Sequence, residues 1–179
     1  MSDKLAQALH FIIFYAEKNG LDLGAVKLTK SLVFSEAASL YLQGRTMTDA
    51  KIVKAPQGPV PDGYKDALKQ LETDGKIKVT ESDQFYEPTV YISLKEPDMS
   101  GFSNKDLKII SELAATCCND FTAKALSKGT HNRFWEMVEM GKEIPLAAYL
   151  GPEDFEGPPL SEAELAELDQ AAREAGLNV

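Results

Sequence analysis

The segment Gln57-Gly58-Pro59-Val60-Pro61 constrains the fold of this chain more than any other feature. Each proline fixes its own φ angle, lacks a backbone N–H and disfavours a helical conformation at the residue before it. The glycine permits backbone angles that other residues avoid. The segment therefore predicts a rigid, non-helical corner, and Ile52 and Val53 ahead of it are a candidate short strand.

Two amphipathic helices are predicted before this corner. Apolar residues recur at i, i+3 and i+4 over residues 3–18, which is typical of a helix with one buried face. A second helix is predicted over residues 25–42, with an apolar stripe that includes Leu42 and is widened by Tyr41. Because apolar residues cover most of its circumference, we expect this helix to be central, and Gly44 ends it.

A helix and a hairpin are predicted after the corner. Asp62 is a candidate N-cap for a helix over residues 63–73. Apolar and polar residues then alternate in two short runs, as in strands that bury one face. The apolar positions are Ile77 and Val79 in the first run and Val90, Ile92 and Leu94 in the second. Together the two runs predict a β-hairpin with a long polar tip.

The remainder of the body is predicted to be helical. Ser103 and Asp106 have the spacing of a capping box and begin a third strong helix, with Cys117 on its inner stripe. A short helix and a loop follow over residues 120–130. A helix followed at once by a two-stranded hairpin is the layout of a winged helix. We therefore predict an α+β, mostly helical fold, in which a helical core carries a winged-helix-like β-hairpin.

The net charge of −9 is unevenly distributed along the chain. Residues 151–179 contain eight acidic residues and one arginine, a net charge of −7, and residues 1–150 carry the remaining −2. The segment 151–179 begins with a proline-rich linker and continues as a predicted acidic helix. We therefore predict two parts, a body over residues 1–150 and this acidic appendage. The charge of the body does not favour nucleic acid as a partner.

The cysteines and histidines exclude several kinds of site. Cys117 and Cys118 are adjacent, so they cannot form an ordinary disulfide within one regular element, and a disulfide-stapled secreted fold is excluded. Together with His10 and His131 they show no zinc-binding spacing, so no metal or cofactor is expected. No apolar run approaches the length of a membrane span. We expect a cytoplasmic protein that does not enter a membrane.

No catalytic motif is recognisable. Glycine-rich phosphate loops and the G-x-S-x-G elbow do not occur in the sequence. His131 could act as a base with a nearby acid, or it could tie its loop to the following helix. Because no nucleophile or second base accompanies it, we favour the structural role. His10 fits the buried face of the first helix. We therefore expect that the protein is not an enzyme.

Three stretches of the chain resemble one known family. Residues 26–37 are similar to a helix of the form K-L-x-K-L-L-Y-F, residues 54–64 to a G-P-V-x-x-x-Y element, and residues 126–135 to an S-x-x-x-H-x-x-x-W segment. In order and spacing they resemble the Panacea domain family of SocA-like antitoxins, over roughly residues 5–150. The matching residues are Lys27, Leu28, Lys30, Phe34, Gly58, Pro59, Val60, Tyr64, His131 and Trp135.

The resemblance implies a function and no catalytic residues. Antitoxins of this kind bind a cognate toxin protein and neutralise it, and some are linked to delivery of the toxin to an ATP-dependent protease. The resemblance also implies structural roles for the matching residues. By this resemblance Gly58, Pro59 and Val60 set a corner, Tyr64 is a packing residue, and His131 with Trp135 locks the last core helix.

A winged-helix DNA-binding regulator is the alternative function. Residues 20–80 contain nine basic and seven acidic residues, a local net charge of +2. The helix before the hairpin, which would enter a DNA groove, carries Lys65 and Lys69. It also carries Asp66 and Glu72, so few of its side chains could approach phosphates without a repelling neighbour. The sequence therefore favours the antitoxin over the regulator.

Overall fold

A computed structural model describes residues 3–80 and 89–149. The helices are α1 (Asp3–Lys18), α2 (Ala25–Gln43), α3 (Tyr64–Thr73), α4 (Asn104–Asn119), α5 (Ala123–Gly129) and α6 (Arg133–Met137), followed by a 3-10 turn, Leu146–Tyr149. The strands are β1 (Ile52–Ala55), β2 (Gly58–Pro61), β3 (Ile77–Thr80) and β4 (Val90–Ser93). The prediction of a mostly helical α+β fold is confirmed. The linker and acidic helix predicted within 151–179 lie outside the described residues.

The hydrophobic core lies where α1, α2, α3 and α4 meet. Its fully buried members come from every one of these helices and include Leu9, Ile12, Leu32, Ala67 and Ile110. These residues sit at the predicted i, i+3 and i+4 positions, because one face of each helix must leave water. Burying one such aliphatic side chain contributes roughly 1.5–3 kcal/mol, so this cluster dominates the stability of the body.

Helix α2 is central, but its buried surface is largely polar. Its buried polar residues are Lys27, Thr29, Lys30, Ser31, Ser35, Glu36 and Ser39. The serine hydroxyls donate to backbone carbonyls one turn earlier, Ser31 to Lys27 at 2.7 Å and Ser35 to Ser31 at 2.7 Å, so they need no other partner. The prediction that Tyr41 and Leu42 extend the buried stripe is wrong, since both side chains are more than half exposed.

The proline-rich corner is the second strand of a tight hairpin. β2 pairs antiparallel with β1, and Ala55 opposes Gly58 across a two-residue turn. The outer edge of β1 is also occupied, because Lys54 N donates to Lys142 O at 2.9 Å and Ile144 N donates to Ile52 O at 2.8 Å. The non-helical conformation and the strand at Ile52 follow the prediction, whereas the strand character of the corner itself was not predicted.

Helix α3 begins one residue later than predicted and without the predicted cap. Its N-cap is Gly63, which has φ +74 and supplies no side-chain hydrogen bond, so the prediction of Asp62 as the cap is wrong. Asp62 still belongs to the hairpin, because its backbone N donates to Lys51 O at 2.7 Å. The left-handed turn at Gly63 then redirects the chain into the helix.

The predicted winglike hairpin is present, and its faces are set by pairing. β3 and β4 are antiparallel, with Ile77 opposite Ser93 and Val79 opposite Tyr91. Opposed residues share a face, so Tyr91 and Ser93 lie on the side of buried Ile77. The other face of β4 carries Val90, Ile92 and Leu94, which are 37–55% exposed. The predicted tip, residues 81–88, lies outside the described residues.

The predicted capping box begins α4 and also ties this helix to the end of α2. Asp106 Oδ2 accepts from Ser103 N at 2.9 Å, and Ser103 Oγ accepts from Asp106 N at 3.2 Å. The same carboxylate accepts from Arg45 at 2.9 Å and from Gln43 at 2.9 Å. Burial raises the pKa of Asp106, but the hydrogen bonds from Gln43, Ser103 and Arg45 outweigh it and lower the pKa to about 2.

Candidate functional site

The fold brings the three motif-bearing stretches together. The first half of α2 packs on the β1–β2 hairpin, and the segment at the start of α6 packs on the same hairpin from another side. The contact that joins the first two stretches is direct, because Lys30 Nζ donates to Pro59 O at 2.6 Å. Residues separated by 29 positions in sequence are thereby held by one buried hydrogen bond.

Gly58 makes this close packing possible. Its φ of +93 lies in the region that favours glycine. A Cβ atom there would overlap Thr130 Oγ1 and would lie 3.0 Å from Lys30 Nζ. The ammonium of Lys30 and the hydroxyl of Thr130 therefore occupy the space where any other residue would place its side chain. This explains in physical terms why a glycine precedes the two prolines.

Lys30 is a fully buried cation without a carboxylate partner among the described residues. Burial lowers its pKa to about 8, and the neighbouring Cys117 opposes this shift. Burial also raises the pKa of the Cys117 thiol to about 11, so Cys117 is neutral near pH 7 and offers no compensating charge. The neutral carbonyl of Pro59 is the hydrogen-bond acceptor of this ammonium.

Trp135 is fixed between the hairpin and His131. The rings of Trp135 and His131 stack with centroids 3.8 Å apart and an interplanar angle of 4°. Trp135 Nε1 donates to Ala55 O at 3.3 Å, and Lys54 Nζ lies 4.2 Å from the indole centroid. Asn132 caps α6 by accepting from Trp135 N at 2.9 Å. The indole therefore joins α6 to the end of β1.

The surroundings of His131 disfavour its charged form. Burial lowers its pKa, and the nearby cations Lys30 and Lys54 lower it further. Its Nε2 atom is buried and has no hydrogen-bond partner among the described residues. Within residues 3–80 and 89–149 there is no group of three or more histidine, cysteine and acidic side chains that could hold a metal ion.

An open groove of about 590 Å³ lies beside this junction. Its walls are the first turn of α2, the β1–β2 hairpin and the first turn of α3. Its lining includes Ala25, Val26, Lys30, Val60, Tyr64 and Lys65. The groove is thus built by two of the three motif-bearing stretches. The third does not line it, but its residue Thr130 packs against Gly58 of the hairpin.

The free edge of β2 cannot extend the sheet. Lys54 directs its backbone hydrogen bonds away from β2, to residues 141 and 142, so Pro59 opposite it also faces outward. Pro59 and Pro61 have no N–H, and the carbonyl of Pro59 is already used by Lys30. A partner must therefore contact this hairpin through side chains.

A comparison with protein families matches residues 28–136 to the antitoxin SocA-like, Panacea domain. The match covers more than half of the chain and runs from α2 into α6. The chain belongs to this family. No curated protein and no solved structure matches it. Membership assigns the Panacea domain described above an antitoxin role in a toxin–antitoxin system and suggests that it is not an enzyme.

The match to the Panacea domain contains every residue that carried the resemblance except Lys27. Lys27 is buried against the end of α4, where it pairs with Asp22 at 3.1 Å and donates to Cys118 O at 3.1 Å. Leu28 belongs to the fully buried core, and Phe34 is half-buried further along α2. The structure does not bring these three residues to the groove.

The sequence alone did not point to two parts of this region. They are Thr130, which packs against Gly58, and the first residues of α2, which line the groove. Thr130 is buried, and its hydroxyl donates to Leu126 O and Ser127 O, so a small polar residue directly after a short helix was the available signal. Ala25 and Val26 line the groove because the helix starts there.

Among the described residues, no helix of the protein is both long and apolar enough to span a membrane.

Proposed function

We propose that this protein binds its cognate toxin directly and neutralises it, and that the groove face is the surface that contacts the toxin. Family membership supports the antitoxin role. The observation that favours this face is the convergence of the motif-bearing stretches, through the Lys30–Pro59 hydrogen bond and the Gly58 contact, on one groove. A groove of this size accommodates several side chains of a partner.

The test is co-expression of the tagged chain with the products of its flanking genes. We expect one neighbour to be recovered at fixed stoichiometry and to be toxic when expressed alone. Recovery of no neighbour, or of one that is harmless alone, would overturn the proposal.

The surface is tested with two matched variants. Gln57 lines the groove at the exposed hairpin turn, and Gln70 is exposed on α3 outside it. Gln57→Arg is expected to weaken recovery of the toxin, whereas Gln70→Arg is expected to leave it unchanged. If both variants recover the toxin equally well, the contact surface lies elsewhere on the molecule.

Delivery of the toxin to an ATP-dependent protease is a further part of this proposal. It predicts that the half-life of the toxin in cells is shorter when the antitoxin is present than when it is absent. If the toxin is equally stable in both cases, delivery to a protease is wrong and neutralisation by direct binding alone remains.

The DNA-binding alternative receives no specific support from the described surface. The exposed residues of α3 include Lys65 and Lys69 but also Asp66 and Glu72, so no face of one charge sign is formed. A gel shift with the upstream promoter at low salt tests it, because phosphate-driven binding weakens steeply as salt is added.

A further inference from the structure

The surface formed by α5 and the start of α6 is basic. Residues 121–135, between Asp120 and Glu136, form the longest stretch of the chain without an acidic residue. Lys124 and Lys128 of this stretch are exposed and lie one turn apart on the same side of α5. Neither lysine takes part in an ion pair among the described residues. Both ammonium groups are therefore available to an anionic partner.

The same surface exposes large apolar side chains. Phe121, Phe134 and Met137 are 38–81% exposed. The guanidinium carbon of Arg133 lies 5.2 Å from the centroid of the Phe134 ring, so cationic and apolar groups adjoin there. We call the exposed residues Phe121, Lys124, Lys128, Arg133, Phe134 and Met137 the α5–α6 surface. A partner that fits it combines negative charge with apolar side chains.

The chain leaves the described part of the structure beside this surface. Asn132, the N-cap of α6, donates from its side chain to Ala148 O at 3.0 Å. The last described turn, Leu146–Tyr149, is thereby held against the start of α6. Residues 150–179 continue from this turn and lie outside the described residues. They therefore start next to the α5–α6 surface.

The sequence of the acidic appendage matches this surface in charge and in pattern. Residues 151–179 carry a net charge of −7. Leu165, Leu168 and Ala172 recur at i, i+3 and i+7, which is typical of one face of an amphipathic helix. A linker as short as residues 150–161 keeps such a helix near the body at an effective concentration on the order of 1 mM. Even a weak contact would therefore be occupied.

We propose that the acidic appendage packs on the α5–α6 surface of its own chain. Its leucine face covers the exposed Phe134 and Met137, and its glutamates pair with Lys124 and Lys128. Exposed ion pairs add little to folding stability, so this contact is compatible with a body that folds by itself. The inference concerns the protein alone and does not depend on the proposed function.

Hydrogen exchange of the full chain, followed by mass spectrometry at low salt, tests the contact. We expect amide exchange over residues 162–175 to be at least about fivefold slower than in an unstructured chain. In about 0.5 M salt the exchange should accelerate, because salt screens exposed ion pairs. Exchange at the rate of an unstructured chain at low salt would show that the appendage does not pack on the body.

Two matched double variants locate the contact. Lys124→Gln with Lys128→Gln removes both charges of α5, whereas Lys65→Gln with Lys69→Gln removes two exposed lysines of the same spacing on α3. The first pair should abolish most of the protection over residues 162–175, and the second pair should leave it unchanged. Equal protection in the two variants would overturn the proposal, because the appendage would then be ordered without the α5 lysines.

A variant of the appendage keeps the proposal testable if the α5 variant is unstable. Leu165→Gln with Leu168→Gln leaves the body unaltered, and glutamine has nearly the helix propensity of leucine. We expect faster exchange over residues 121–137 as well as over 162–175. Ala163→Gln, on the opposite side of the predicted helix, should change neither. An unchanged rate over 121–137 in the leucine variant would contradict the contact.

Protein concentration distinguishes this contact from one between two copies of the chain. A contact within one chain protects the appendage to the same extent at every concentration. If the protection increases between about 1 and 100 μM protein, the appendage binds a second copy by mass action, and the proposal of a contact within one chain is wrong.

Discussion

At the residue scale, two buried ionisable side chains of α2, Lys30 and Glu36, each hold a neighbouring segment of the chain by hydrogen bonds. Glu36 is fully buried, and its carboxylate accepts from Met47 N at 2.6 Å, from Thr48 N at 2.9 Å and from the Thr48 hydroxyl. Burial raises the pKa of Glu36, and these hydrogen bonds oppose the rise. Glu36 thus anchors the loop that follows α2, as Lys30 anchors the hairpin at the other end of the same helix.

Replacement of Glu36 by glutamine should destabilise the protein by about 1–3 kcal/mol near neutral pH, because the amide group turns a donor toward a backbone N–H. Burial keeps the pKa of Glu36 above its unfolded value, so its contribution is fully present below about pH 4.5 and decreases as the pH rises through the folded value. The deficit of Glu36→Gln should therefore be largest at acidic pH. Urea unfolding measures it, with exposed Glu112→Gln as the control. Equal stabilities for both variants would contradict the anchoring role.

The contribution of Lys30 to stability should change with pH in the opposite direction to that of Glu36. Its pKa falls from 10.5 in the unfolded chain to about 8 in the folded protein, so between these values only the unfolded chain retains the proton. The free energy of unfolding of the natural chain should therefore rise relative to Lys30→Met, by about 2 kcal/mol between about pH 7.5 and pH 10. Parallel pH curves for the two proteins would show that the Lys30 ammonium is not desolvated.

The β1–β2 hairpin is the element on which the site depends. It packs on α2 through the Lys30–Pro59 hydrogen bond and on α6 through the Trp135–Ala55 hydrogen bond. Residues 141–144 pair with its outer strand. The hairpin therefore links α2 to α6 and to residues 141–144. Its geometry depends on Gly58, which lets Lys30 and Thr130 approach closely.

Substitution of Gly58 should damage this element severely. Gly58→Ala forces an L-residue to φ +93 and drives its Cβ into Thr130, and Gly58→Val adds more bulk. The combined backbone and packing penalties suggest a loss of roughly 2–4 kcal/mol for alanine. Gly44→Ala is the matched control, because its φ is +67 but its Cβ would meet no atom within 4 Å, so a loss of about 1 kcal/mol is expected. Equal losses in thermal unfolding would show that the Gly58 contact yields without cost.

At the scale of the whole molecule, residues 3–80 and 89–149 contain a hydrophobic core to which α1, α2, α3 and α4 all contribute. The buried cluster is drawn from residues between Leu5 and Ala114, and α5 and the 3-10 turn pack on α2. The proline-rich stretch that begins at residue 151 is typical of a boundary between independent parts. The stability of the body is therefore expected to be independent of the acidic appendage.

A chain ending at residue 151 should fold and should have a melting temperature within about 3 °C of the full chain, because it retains every core residue among those the structure describes. Circular dichroism of both proteins under the same conditions measures this. A fall of 10 °C or more would show that residues 152–179 complete the core, and the two-part organisation would then be wrong.

Local signals determined most of the element boundaries. The capping box at Ser103, the glycine that ends α2 and the alternation around Ile77 each act within a few residues, so they can be read from the sequence. The family resemblance was also carried by short stretches of the sequence, and the match to residues 28–136 confirms it.

Only the tertiary structure decided which faces are buried and where the groove lies. Leu42 and Ile92 are as apolar as core residues but are exposed, because no other described element covers their side of α2 or β4. Lys30 is the reverse case, a charged residue buried because Pro59 and Thr130 close over it from distant parts of the chain. Such contacts depend on packing between elements, and the periodicity of a single segment contains no information about what packs against it.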